Sequence, residues 1–204
     1  MRGVAVDGVR ISQGMATGDV PAAVAILIEA FAEKIAHELR PRSEEQLVRL
    51  VTSGISREHA LVAAARDGSL IGVAGVAAPG RPFFHIPFAV LRREFGLPGA
   101  LTRWAYSLLE VAAAPRRPGT RRVEVLAVAA GSRGRGVGSA LLDAAADGAR
   151  QEGAKRLILE VVDTNGRAKE LYERAGFRAT RTVRSGALTA GAGYRAIHFM
   201  RRDL

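Results

Sequence analysis

The chain has 204 residues and no cysteine, which excludes disulfide scaffolds, thiolate metal sites and cysteine nucleophiles. Histidine is scarce: the four stand at 37, 59, 85 and 198, and no two are spaced i, i+4 as a helical zinc site would need. Lysine is almost missing, with only Lys34, Lys155 and Lys169 among 30 basic residues. No apolar run approaches the ~18–20 residues of a membrane span. The most apolar stretch, Val20 to Phe31, is broken by Glu29 and followed by Glu33 and Lys34, the pattern of an amphipathic helix. The N-terminus carries Asp7 and no charged-then-apolar leader pattern, so a cytoplasmic location is the default expectation.

What is present suffices for a packed core: 48% of the residues are hydrophobic, and the length fits one domain over residues 1–204. The charge is uneven. Residues 1–115 carry 12 basic and 11 acidic side chains, and residues 116–204 carry 18 and 9, so nearly all of the net +10 lies in the second part. A concentrated positive field suits nucleic acid, an anionic membrane or a phosphorylated cofactor. The skew to arginine over lysine also has a compositional reading, so charge alone does not choose among these.

Val9–Ser12 reads as a short strand, with Thr17 or Asp19 capping a helix that runs to about Leu39. Ser43 begins a second helix with Gln46 as its capping-box partner. Ala60–Ala65, Asp67-Gly68 and Leu70–Ala77 form a hairpin pattern. Residues 83–120 are weakly patterned, apart from a helical stretch at Leu101–Val111. Then follow a strand at Val123–Val128, a glycine-rich turn, a helix over Val137–Glu152 and an apolar strand at Leu157–Val162. A helix over Asn165–Ala175 and a strand pair, Phe177–Val183 with Tyr194–Met200, complete the chain. This order predicts an α/β arrangement around a mixed sheet.

The turn Gly131-Ser-Arg133-Gly134-Arg135-Gly136-Val137-Gly138-Ser139 lies between a strand and a helix, where unpaired amides and the helix dipole favour an anion. It is not a P-loop, because Val137 follows Gly136 where lysine is required. It is not a dinucleotide fingerprint either, because Ser139 or Leu141 stands where the third glycine should be. What remains is Arg133-x-x-Gly136-x-Gly138. Downstream runs Asn165-x-x-Ala168-x-x-Leu171-Tyr172-x-x-x-Gly176-Phe177. Together with the strand Val123–Val128, these segments resemble the GNAT superfamily of acetyltransferases closely over about residues 121–180, and more loosely elsewhere.

The resemblance implies a mostly antiparallel mixed sheet flanked by helices, with strands 123–128 and 157–162 splayed to admit acetyl-CoA. It implies that the backbone of Leu126, Ala127 and Val128 meets the pantetheine arm, and that the amides of Arg133, Gly134, Arg135, Gly136, Val137, Gly138 and Ser139 take the pyrophosphate. Asn165, with Ala168 of the same motif, would hold the arm from the next helix. Tyr172 matches the position of the acid near the cofactor sulfur. Glu124, read with the parity of Leu126 and Val128, is the candidate base; its other reading is a strand-face carboxylate paired with Arg122 or Arg156. Glu160 is a rival carboxylate better suited to structural pairing, and His85 a substrate-side candidate that reads more readily as structural. Phe83, Phe84, Phe88, Trp104 and Tyr106 line an acceptor pocket or extend the core. The expected reaction is acetyl transfer to a primary amine on a small molecule, peptide or protein, by direct attack in a ternary complex without a metal. A homodimer is compatible with this reading. The competing classes are a non-catalytic acyl-CoA-binding or regulatory module and a basic nucleic-acid-binding protein; the latter lacks interleaved aromatic and basic residues.

Overall fold

The computed structural model of the protein describes residues 4–6, 8–113, 118–184 and 193–204. Its strands are β1 (Val4–Val6), β2 (Val9–Gln13), β3 (Ala60–Ala64), β4 (Leu70–Ala77), β5 (Thr120–Val128), β6 (Arg156–Val162), β7 (Arg178–Arg184) and β8 (Ala196–Asp203). The helices are α1 (Val20–Leu39), α2 (Glu44–Gly54), α3 (Phe88–Ala113), α4 (Val137–Gln151) and α5 (Gly166–Arg174). The strands make one sheet in the order β1-β2-β3-β4-β5-β6-β8-β7, antiparallel except between β5 and β6. The predicted mixed, mostly antiparallel sheet is what forms. The strand β1 was not anticipated, and the glycine- and alanine-rich loop before β8 lies largely outside the described residues.

Local signals account for many element boundaries. Ser43 Oγ accepts from the Gln46 amide at 3.2 Å and starts α2, while Gln46 Oε1 accepts from Arg42 N at 2.7 Å. The reciprocal bond of the capping box thus lands one residue early. Asp67 Oδ1 accepts from Ser69 N at 2.9 Å and closes the β3–β4 turn. One expectation fails: Thr17–Asp19 is a 3₁₀ turn leading into α1, not a side-chain cap. In the weakly patterned region, α3 starts at Phe88, ahead of the expected Leu101, and bends at Gly96 before Pro98.

Strand alternation divides the core into two faces. On one, α4 and α5 bury Leu141, Leu142, Leu157, Phe177 and Met200 against the sheet. On the other, α1 covers β4 and β5, enclosing Val24, Leu27, Val73 and Phe83. Here Phe83 fits against Gly75 so closely that an added Cβ would lie 2.1 Å from its ring, and Phe83 is fully buried. The ring has nowhere to retreat. Gly75→Ala is therefore expected to cost about 3 kcal/mol, the upper part of the usual overpacking range, read as a lower urea midpoint at unchanged m-value.

Candidate functional site

β5 pairs with β6 only through Thr120, Arg121 and Arg122, opposite Arg156, Leu157 and Ile158. Beyond that point β5 stays bonded to β4, and β6 to β8. A wedge therefore opens between 123–128 and the far part of β6, as expected for the splayed pair. At its end the chain turns through Ala130–Ser132 into α4.

The start of α4 has the chemistry of an anion site. Gly136 is its N-cap in the left-handed region (φ 80°), without a capping side chain, and the first turn holds no acid. Among the described residues, the amides of Gly134, Arg135 and Gly136 meet no acceptor. A Cβ on Gly138 would lie 3.0 Å from Leu171 Cδ2, so the glycine motif and the downstream helix motif pack directly on each other.

The Arg133 side chain turns away from this cluster of amides. Its Nε donates to Val128 O at 2.9 Å, and its Nη2 lies 2.7 Å from Glu29 Oε1 on α1. Arg135 stands in the same loop, exposed and without a partner among the described residues, and Ser139 lies in the first turn of α4. Asn165 N donates to Val162 O at 3.0 Å, and Asn165 Oδ1 accepts from Ala168 N at 3.1 Å. Asn165 thus caps α5 at the β6 wall of the wedge, and its bond to Ala168 is that cap.

Tyr172 lies on α5 in the α4-side core, with its ring edge-on to Phe177 at 6.1 Å. Burial pushes its phenol up to about 12. The hydroxyl has no hydrogen bond among the described residues, yet no unpartnered polar side-chain atom there is sealed from solvent, so the oxygen reaches a surface.

Glu124 departs from the expected parity. Gly75 faces Val125 and Val76 faces Val123, so Glu124 is the extra residue of a β-bulge. Leu126 and Val128 pack toward α4, whereas Glu124 turns to the α1 side. There its Oε2 accepts from Phe83 N at 2.9 Å and Phe84 N at 3.1 Å. The 83–85 segment is also tied to the end of α2 through Ser56 N to Phe83 O (2.7 Å) and His85 N to Gly54 O (2.8 Å). Arg122 pairs with Glu160 at 3.1 Å and Arg156 lies 3.9 Å from Asp203, so neither is the partner considered for Glu124. Glu160 has the structural role expected of it.

Of the aromatic candidates, Phe83 is core, Phe84 packs against its cluster, Phe88 packs against the separate cluster of Leu50, Ile86 and Leu91, and Trp104 is 39% exposed, edge-on to Phe88 at 5.9 Å. The Tyr106 side chain lies outside the described residues, and His85 is exposed. A separate cavity of about 540 Å³, lined in part by Gln13, His59, Arg121 and Glu152, shares no residue with the loop or with Tyr172. Among the described residues no cluster of His, Asp and Glu could hold a metal, and no helix is long and apolar enough to cross a membrane.

Sequence reasoning missed the Glu29–Arg133 link and the capture of the Phe83 and Phe84 amides. Glycine inside the β4 pattern was the one available signal for the bulge.

The chain matches the Acetyltransferase (GNAT) family over residues 24–177, from α1 to the residue before β7. It belongs to the GNAT acetyltransferase family. Among solved structures, a GCN5-related N-acetyltransferase from Kribbella flavida is 26% identical, with 97% of this chain and 99% of that one covered and a TM-score of 0.59. An agmatine N-acetyltransferase variant shares the fold at 17% identity, with 97% and 100% covered and a TM-score of 0.64. The ribosomal-protein-S18-alanine N-acetyltransferase from Escherichia coli does so at 20%, with 96% and 93% covered and a TM-score of 0.55. No curated protein matches the chain. In this GNAT protein, both motifs border the wedge between β5 and β6.

Proposed function

We propose that the protein, acting as one domain, transfers an acetyl group from acetyl-CoA to a primary amine by direct attack within a ternary complex. The observation that carries this reading is the uncapped, acid-free start of α4 at the end of a strand that has parted from its neighbour. A pyrophosphate there receives the amides of residues 134–139, and the arm lies along Leu126, Ala127 and Val128 with Asn165 opposite. Arg133 contributes from behind: by engaging Glu29 it neutralises the only carboxylate bonded to the loop among the described residues.

The reaction needs a neutral amine, donors for the developing oxyanion and stabilisation of the departing thiolate. An alkylamine with a pKa of ~10.4 is mostly protonated at neutral pH, so a base is required. Glu124 serves this role on the α1 side of β5, directly or through water, while two backbone amides orient its carboxylate. Tyr172 serves the sulfur.

Thermal denaturation with acetyl-CoA, followed by thiol release across a panel of amines, tests the reading; no stabilisation by any acyl-CoA sinks it. Glu124→Gln keeps the side-chain shape and one acceptor oxygen. It is expected to lower kcat at least about tenfold and to flatten the acidic limb of the pH–rate profile. A lower melting temperature with unchanged kcat would instead reduce Glu124 to an anchor for the 83–85 segment.

A further inference from the structure

The wing of the sheet formed by β6, β8 and β7 has one covered face and one open one. Leu157, Leu159 and Val161 of β6 enter the α4-side core, so Ile158, Glu160 and Val162 point the other way. Register carries that second face through Arg201, Phe199 and Ile197 of β8 to Arg178, Arg181 and Val183 of β7. α1 lies over β4 and β5, whereas every residue of β7 on this wing is exposed, Val183 among them. Ile158, Val162, Val183, Ile197 and Phe199 belong to none of the buried clusters.

The arginines on this face are there because of a bulge. Arg178 and Arg181 are three apart, and a regular strand would send them to opposite faces. Thr180 is the extra residue at the register shift, and its hydroxyl donates to Phe199 O at 3.1 Å. Both arginines consequently stand on the open face, Arg181 with its guanidinium 4.4 Å above the Phe199 ring. Arg122 and Arg201 have acid partners, at 3.1 Å to Glu160 and 3.2 Å to Asp203. Arg178 and Arg181 have no carboxylate partner among the described residues.

We propose that this face docks the acceptor, and that the acceptor is a polypeptide in which acidic and apolar residues follow a terminal amine. This rests on the transferase reading above and adds the class of substrate. β6 belongs both to the face and to the wedge, so a chain lying across β7 and β8 delivers its end to the place where β5 and β6 part. Carboxylates meet Arg178 and Arg181, and apolar side chains cover Val183, Ile197 and Phe199. A second copy of the chain would bring the same unpaired arginines and oppose itself by like charge. A nucleic acid would need a bare aromatic platform, and the Phe199 ring already carries Arg181.

Two peptides with free N-termini and C-terminal fluorophores test this, one alternating acidic and apolar residues and one with every carboxylate replaced by its amide. The acidic peptide is expected to bind at least about tenfold more tightly, and the gap to close to within about threefold in the Arg178→Ala/Arg181→Ala double variant or at about 0.5 M salt. The double variant should raise KM for the acidic peptide while leaving turnover of a small primary amine unchanged. Equal binding of the two peptides, a single-stranded oligonucleotide outcompeting the acidic peptide, or a dimer that the double variant alters would overturn the proposal. Acidic-peptide binding without turnover of any amine would leave the docking face standing and remove the transferase reading.

Discussion

Tyr172→Phe is expected to lower kcat by about 10- to 100-fold while acetyl-CoA still stabilises the fold, because the change removes one oxygen from a buried ring and nothing from the loop proposed to hold the pyrophosphate. The magnitude follows from what this phenol does best. With its pKa pushed up to about 12 by burial, Tyr172 is a weak acid. A thiolate whose conjugate acid has a pKa of ~8.5 would take its proton only against a gradient of several units. A strong hydrogen bond to the negative sulfur is the more economical role, and such bonds to charged partners are worth ~1.5–3 kcal/mol. The proton that finally reaches the thiol then originates from the acylated nitrogen. The deficit of the variant should therefore be the same at every pH below about 10, where the phenol is protonated in both folded and unfolded chains. Stability supplies a second readout. A folded pKa above the unfolded value gives a contribution that is complete below pH ~10 and is lost as the pH rises through about 12, and the phenylalanine variant lacks that loss. An unchanged kcat would end the catalytic role proposed for Tyr172 without touching the proposed cofactor site.

The second large effect is expected at Gly136. Its φ of 80° is costly for any residue with a Cβ and worst for a β-branched one. No atom lies within 4 Å of a Cβ built there, so the penalty is conformational and not a clash. Gly136→Val should draw the residue toward negative φ, rotate the amides of 134–139 away from a common point and raise KM for acetyl-CoA by about 100-fold or more. The ligand-induced rise in melting temperature should vanish, while the apo protein loses only about 2 kcal/mol, the local strain. An apo protein that unfolds outright would show that the loop is a structural keystone; retained acetyl-CoA stabilisation would exclude it as the pyrophosphate site.

Gly136 stood out by local pattern, whereas the role proposed for Tyr172 came from the family resemblance. The glycine loop and the Asn165–Phe177 segment act over a few residues each, through caps, φ preferences and helical spacing, so their chemistry is written where it occurs. The same holds for the Ser43–Gln46 cap and the Asp67-Gly68 turn. The parting of β5 and β6 was inferred from family resemblance, since no local pattern states where two parallel strands stop pairing.

Tertiary structure decided what depends on strand register and on long-range partners. Counting by twos along β5 puts Glu124 with Leu126 and Val128; the bulge opposite Gly75 and Val76 turns it toward Phe83 and Phe84. Counting along β7 separates Arg178 from Arg181, and the bulge at Thr180 unites them. Arg133 was singled out for its place in the loop, and its side chain is held by a carboxylate 104 positions earlier. Two motifs, through their resemblance, thus identified the family, and local pattern located the glycine-rich loop and the helix bearing Tyr172. Which face each strand residue serves was settled by one-residue insertions in the pairing, because a side-chain period of two inverts with a single extra residue.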